Sequence, residues 1–255
     1  MRGRGMHEYL YGRNAVREAL LAGRRQCFAL HHLPGHELAL LARERGIPCH
    51  AADRARLGQL AGDRHHQGAV LETSPYPYAE LEGVLAAAQA AGESPFLLLL
   101  DLLQDPQNLG TLLRTAEAVG VHGVVLPERR AAGVTPAVVN ASSGATEWLH
   151  IAQVTNLART MGTLAERGIW LVGLESVPEA ALLDQVDWPK AVALVVGSEG
   201  EGLRRLTRAR CDLLVRIPMR GRITSLNAAV AGSIALYAAW RGRKGGGGRE
   251  GGDGK

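Results

Sequence analysis

From Phe96 onward the chain repeats one pattern, a short and almost unbroken apolar run followed by a helical stretch. The runs are FLLLLDLL, VHGVVLP, LHIAQV, GIWLVGL, AVALVVG and DLLVRIP, and the helical stretches begin near Asn108, Pro136, Asn156, Glu201 and Thr224. A strand with one wet face alternates apolar and polar residues, so runs this continuous suit strands buried on both faces. Helices on either side of a parallel sheet supply that burial. Six strands and five helices in alternation predict an open, doubly wound α/β domain.

The segment before Phe96 reads as a smaller module. YLYGRNAVREALLAG is a helix pattern in which Val16, Ala19 and Leu20 share a face and Gly23 is the stop. CFALHHL, IPCHAA and HQGAVLET are strand-like, with the helix patterns HELALLARERG and RARLGQLAG between them. This alternation predicts a small α/β domain of about seventy residues, within the range that folds independently. In SPYPYAELEGVLAAAQAAGESP, Pro75 and Pro77 stop the preceding strand, and the alanine-rich part is a helix candidate between the two domains. KGGGGREGGDGK has no apolar residue to bury and predicts a disordered tail. The expected boundaries are 1–75, a linker at 76–95, a larger domain at 96–243 and the tail at 244–255.

Composition narrows the class. Aromatic residues are 4% of the 255, too few for stacking platforms of the kind used by many single-strand binders. A net charge of +4 suits a polyanionic partner and equally suits a basic, soluble surface. Cys27, Cys49 and Cys211 are dispersed with no CxxC spacing, which argues against a disulfide framework or structural zinc and fits a reducing cytoplasm. MRGRGMHEYLYGRN lacks the apolar core of a signal peptide, and no run reaches the ~20 residues of a membrane span. No HxxxH, HExxH or Cys/His cluster suggests a metal, and no GxSxG elbow suggests a hydrolase.

Three segments carry chemistry. In DLLQDPQNLGTLLRTAEAVG a strand ends near Asp101, Pro106 stops it, and Asn108 is positioned to cap the next helix, with Arg114 further along it. That places Asp105 and Asn108 at the carboxyl end of a strand, where open α/β sheets bind ligands. GSEGEG, Gly197 to Gly202, is neither a dinucleotide fingerprint nor a P-loop. Its glycines permit a tight turn with N–H groups facing a ligand, while Glu199 would repel phosphates. Alone it reads equally as an acidic turn opening a helix. In IPMRGRITSLNAAVAGS, Thr224 or Ser225 can cap the last helix, Leu226 and Asn227 fall in its first turn, and Arg220 and Arg222 add charge usable for phosphates. His65, His66 and Gln67 are RNA-contact candidates or a polar strand entry.

Taken in order, NLGTLLRTAEAVG, VVGSEGEGL and IPMRGRITSLNAAVA resemble the three motifs of the SpoU/TrmH branch of the SPOUT methyltransferases, over Phe96 to Arg241. YGRNAVREAL and HQGAV resemble that family's substrate-binding domain. VTNLARTM, LTRARCDLLVRIPM and SLNAAVA are similar to its bacterial 23S rRNA guanosine 2′-O-methyltransferases. The resemblance implies methyl transfer from S-adenosylmethionine to the ribose 2′-hydroxyl of a guanosine in the P-loop of the peptidyl-transferase region. It implies a cytoplasmic homodimer whose sheet carries a deep trefoil knot, a feature that general fold rules would not suggest. By the same resemblance Gly197, Ile217, Met219, Ser225 and Leu226 hold the cofactor, and Asn108, Arg114, Glu199, Ser225 and Asn227 are catalytic or position substrate. Arg13, His66, Gln67, Arg220 and Arg222 are the expected RNA-contact residues, and no metal is expected. The alternatives are a tRNA 2′-O-methyltransferase, an adenosine-specific rRNA enzyme, and a non-catalytic RNA-binding assembly factor, against which the presence of all five catalytic candidates speaks.

Overall fold

Residues 7–62, 65–198, 200–223 and 225–245 are described by a computed structural model. Glu199, Thr224 and tail residues 246–255 lie outside the described residues. The chain divides into two compact units, one of residues 1–78, 105–114 and 132–149, the other of 79–104, 115–131 and 150–255. The units therefore do not follow the contiguous division expected from the sequence.

The first unit is built on β1 (Glu8–Tyr11), α1 (Arg13–Ala22), β2 (Cys27–His32), α2 (Leu38–Glu44), β3 (Cys49–Ala51), α3 (Arg54–Ala61) and β4 (Ala69–Thr73). Its four strands lie in the order β1-β4-β2-β3, with β2 and β3 parallel and the other pairs antiparallel. YLY was expected to open a helix and is a strand instead. Tyrosine favours extended backbone, and Gly12 at φ 90° turns the chain into α1. α1 buries Ala15, Val16, Ala19 and Leu20, and Gly23 ends it in the left-handed conformation with its N–H on the Ala19 carbonyl. Asp53 caps α3 by accepting from the Arg56 N–H at 2.7 Å.

This unit buries charge. The Arg25 side chain is inaccessible; its Nε donates to the equally buried Glu147 at 3.0 Å and its Nη1 to Glu8 at 2.6 Å. Nη2 has no hydrogen-bond partner among the described residues, but the guanidinium lies 5.1 Å from the centre of the Tyr76 ring, whose π face offsets part of that loss. Burial raises the Tyr76 phenol well above its ordinary range, and the hydroxyl stays protonated to donate to the Leu149 carbonyl at 2.7 Å.

The second unit begins with α4 (Leu81–Ala90) and β5 (Phe96–Leu100). α5 (Pro106–Ala118) then runs from residues of the first unit into the second. After β6 (Gly123–Pro127), α6 (Pro136–Ala141) belongs to the first unit. The rest of the second follows: β7 (Ile151–Val154), α7 (Leu157–Glu166), β8 (Trp170–Leu174), β9 (Ala181–Leu182), β10 (Val192–Val196), α8 (Arg205–Arg208), β11 (Leu213–Arg216) and α9 (Ala228–Gly245). Its sheet is parallel throughout, in the order β7-β6-β5-β10-β8-β11-β9.

The six expected strands are present, and β9 is a seventh whose two residues are too few to make an apolar run. β5, β6 and β10 are buried along their whole length. Each fully buried leucine there contributes roughly 1.5–3 kcal/mol. From Ala79 on, the expected linker 76–95 is integral to this unit: Ala79 pairs with Ala152, and fully buried Val84 of α4 lies against β6 where Gly123 leaves room. A Cβ at Gly123 would stand 2.3 Å from a Val84 methyl.

Two helix starts differ from expectation. Asp105, not Asn108, caps α5, its carboxylate accepting the Asn108 N–H at 2.8 Å, and Pro106 is the first helical residue rather than a breaker. Asn227, not Ser225, caps α9; its Oδ1 accepts the N–H groups of Ala229 and Val230 at 3.0 and 3.2 Å. α9 also includes Lys244 and Gly245, the first two residues of the expected tail.

Candidate functional site

Strand order decides where a site can form in the second unit. β5, β6 and β7 progress toward one edge, whereas β10 returns to the middle, between β5 and β8. At such a reversal the carboxyl ends of adjacent strands open a crevice. β10 ends there at Val196, and Gly197 opens a tight turn in which Ser198 and Gly202 exchange two backbone hydrogen bonds of 3.1 Å.

Three contacts fix that turn. A Cβ at Gly197 would sit 2.2 Å from the Gly202 carbonyl carbon, so the backbones at the two ends of the turn are already touching. Gly202 adopts φ 67°, and a Cβ on it would meet the Glu175 carboxylate at 2.5 Å. That carboxylate accepts the Leu203 N–H at 2.9 Å. The next residue is tied to the end of β5: fully buried Asp101 accepts from the Arg204 backbone N–H at 2.9 Å and from its Nε at 2.6 Å. Gly197, Ser198 and Gly202 therefore close the turn, and the following helix starts at Arg205 rather than near Glu201.

Beside the turn lies a cavity of about 420 Å³ at the carboxyl edge of the sheet. All five expected cofactor residues line it: Gly197, Ile217, Met219, Ser225 and Leu226. Asn227 lines it as well, with its carboxamide oxygen engaged in capping α9. Leu174, Val196, Ile217 and Leu226 give apolar wall, while Gly197, Gly200 and Gly202 offer only main chain. The size falls in the roughly 300–1,000 Å³ range of small-molecule sites, and a mostly apolar pocket with a few fixed polar groups is their usual make-up. Among the described residues no three His, Cys, Asp or Glu side chains converge to hold a metal ion.

Glu175, Ser176 and Arg216 also line the cavity and were not anticipated. The signal for Glu175 and Ser176 was the end of the GIWLVGL run and for Arg216 the DLLVRIP run, but its meaning depends on β8 lying between β10 and β11, and strand order is not written in any single run. Near the turn, Cys211 packs against Gly173, and burial pushes its thiol up to about 12, leaving it protonated and unreactive at neutral pH.

The remaining candidates divide. Arg220 and Arg222 are exposed, on the segment between the cavity residues Met219 and Ser225. Asn108 and Arg114 belong to the first unit, where exposed Arg114 donates from Nη1 to the Ser143 hydroxyl at 3.0 Å. Arg13 is exposed and ion-paired with Glu37, while its backbone N–H donates to the Gln67 side-chain oxygen at 2.8 Å. Gln67 is itself exposed, in a left-handed turn at φ 52°. His66 does not join a surface: it is 5% exposed, and its Nδ1 accepts the Gly68 N–H within the same turn. Its expected contact with RNA is replaced by a role in shaping the turn.

Comparison with known proteins agrees with this geometry. The SpoU rRNA Methylase family matches residues 95–237, and a family described as RNA 2′-O ribose methyltransferase substrate binding matches residues 9–79. YacO of Bacillus subtilis strain 168, named as a TrmH family tRNA/rRNA methyltransferase, is 43% identical over 242 residues, covering 93% of this chain and 96% of YacO. The solved AdoMet-bound rRNA methyltransferase of Sinorhizobium meliloti superposes with a TM-score of 0.77 at 26% identity, covering 92% of this chain and 87% of that one. The A. aeolicus TrmH/SpoU tRNA modifying enzyme matches with a TM-score of 0.55 at 28% identity, covering 66% of this chain and 86% of that one.

Proposed function

Because the chain belongs to the SpoU rRNA methylase family and is an S-adenosylmethionine-dependent RNA 2′-O-ribose methyltransferase, we propose that its target is a guanosine in the P-loop of the peptidyl-transferase region of 23S rRNA. One observation carries this reading. The solved enzyme named for rRNA matches 92% of this chain, whereas the one named for tRNA matches 66% of it. YacO's name spans tRNA and rRNA, so a tRNA substrate is the second reading.

S-adenosylmethionine, when bound, supplies a methyl group already activated on a sulfonium. Gly197, Ile217, Met219, Ser225 and Leu226 would hold it, and the cavity they line fits such a ligand in volume and in its mixture of apolar wall and main chain. The protein's task is then to align a ribose oxygen and remove one proton. Alignment of this kind lowers barriers by up to ~7–11 kcal/mol in favourable cases. Asn108, Glu199, Ser225 and Asn227 position the substrate. Arg114 acts as a fixed cation that lowers the 2′-hydroxyl pKa and clamps the neighbouring phosphate, because a guanidinium does not give up its proton in proteins. Arg13, Gln67, Arg220 and Arg222 hold RNA phosphates and ribose.

The assembly we infer is a cytoplasmic homodimer in which residues 1–75 capture RNA and 96–243 form the methyltransferase domain with its trefoil knot. Val230, Ile234 and Tyr237, spaced along α9 and 40–52% exposed, offer an apolar stripe to a second copy.

The test is transfer of labelled methyl to total RNA from a strain lacking the gene, followed by mapping of ribose methylation. A single guanosine of 23S rRNA is expected; a tRNA position would move the assignment to the second reading. Arg114→Lys should abolish transfer while calorimetry shows S-adenosylmethionine affinity unchanged, and an equal loss of affinity would sink the role given to Arg114.

A further inference from the structure

α6 ends in an unusual way. Its last turn closes with the Ser143 N–H on the Asn140 carbonyl at 2.9 Å and the Gly144 N–H on the Val139 carbonyl at 2.8 Å. Such helix ends place the residue beyond the cap in the left-handed region, and glycine is the usual occupant because a side chain there is strained. Here that residue is Ser143, at φ 54°, followed by Gly144 at φ 85°. A non-glycine residue held in this conformation calls for a reason its backbone does not supply. The only use its side chain adds in the described contacts is the Oγ that accepts from Arg114 Nη1 at 3.0 Å.

The residues around Ser143 are fixed on both sides. One turn before Arg114, Gly110 lets α5 rest on the backbone of α6's end: a Cβ there would stand 2.5 Å from Ala141 Cβ and 2.9 Å from Ser142 N. Ser142 is fully buried and donates its hydroxyl to the Val139 carbonyl at 3.0 Å. On the other side, Gly144 abuts α1, where a Cβ would meet Glu18 Cβ at 2.6 Å and the Asn14 carbonyl at 3.1 Å. The same glutamate accepts the Trp148 indole N–H at 2.9 Å. The Ser143 hydroxyl is thus a rigid acceptor, and it is the one side-chain partner of exposed Arg114 among the described contacts.

We propose that Ser143 is a positioning residue for Arg114, holding the guanidinium in the orientation that serves methyl transfer and relaying the seating of α1 to it through Gly144. This rests on the reading of Arg114 as the substrate-clamping cation. A guanidinium misplaced by about 1 Å loses on the order of a hundredfold in rate.

Substitutions at one position separate positioning from structure. Ser143→Gly keeps the left-handed backbone and relieves its strain but removes the acceptor. We expect its melting temperature to be unchanged or higher and calorimetric affinity for S-adenosylmethionine to be unchanged. Its single-turnover rate of methyl transfer to total RNA from a strain lacking the gene should fall roughly 10- to 100-fold. Ser143→Asn, which tolerates the same backbone and restores an oxygen acceptor, should recover most of that rate. Full rate in Ser143→Gly, or no recovery in Ser143→Asn, overturns the proposal. If Arg114→Lys itself keeps full rate, the reading of Arg114 has failed; if it loses activity while Ser143→Gly does not, only the positioning role has failed.

Discussion

The two compact units bury their interiors by opposite means. The first encloses Arg25 and Glu147 with no accessible side-chain surface, and around them groups Glu8 and Tyr76. The second fills its sheet with leucine and valine and keeps charge at the carboxyl edge, where Asp101 holds Arg204 and Glu175 holds the Gly202 turn. An apolar interior tolerates shortening in proportion to the cavity left, because no electrostatic balance is upset. A buried ion pair is different: losing one member strands the other in a medium that cannot solvate it. The lesson is that the first unit is specified by few, mutually dependent groups, and the second by many nearly interchangeable ones.

The sharpest way to break the comparison is Glu147→Ala. It leaves Arg25 buried beside Glu8 alone and should cost about 3–5 kcal/mol, read as a lowered urea midpoint. A loss below about 1 kcal/mol would mean that water reaches Arg25 and that the first unit is not charge-specified. Next in size is Leu98→Ala in β5, which should cost about 2–5 kcal/mol, while the smaller truncation Val195→Ala in β10 should cost less in step with the volume removed. Disproportionate loss at Val195 would contradict the graded behaviour assigned to the apolar sheet.

The smallest effect is acid sensitivity. In the first unit a hydrogen bond from His7 holds the Glu72 carboxyl below its ordinary range. Its stabilisation is complete above the unfolded carboxyl pKa, near 4.3, and disappears as pH falls through the lower folded value. Burial lowers the pKa of His31 in the first unit and of His122 in the second. Each favours folding less as pH falls below about 6.5, where the unfolded chain takes up the proton first. Hydrogen exchange, corrected for its intrinsic pH dependence, should show both units weakening between pH 7 and 5. Below pH 4.3 the first should weaken further through Glu72 and the second through Glu82, which a hydrogen bond from Arg167 holds low; Glu72→Gln should remove the loss from the first unit only, and its persistence there would remove Glu72 as the cause.

What the sequence made legible follows the same division. The six apolar runs of the second unit are strands where they were expected, because continuous burial on both faces leaves an unmistakable pattern. Gly197, Ile217, Met219, Ser225 and Leu226 converge on one cavity as their motifs suggested. The rest depended on relations between distant segments. β9 is too short to show a pattern, and YLY is a strand because β4 pairs with it. Glu175 reaches the cavity because β8 neighbours β10, and Asn227 takes the cap that Ser225 had equal chemistry to fill. His66 looked like a surface contact because nothing local told of its burial.

The turn after β10 has a consequence for pharmacology. Gly197 cannot gain a side chain without colliding with Gly202, and Gly202 cannot gain one without colliding with Glu175 and straining its own backbone. A small molecule that reads the peptide groups of these two glycines would be resisted by few single-residue escapes, since a substitution that displaced the drug there would also displace the turn that shapes the cavity.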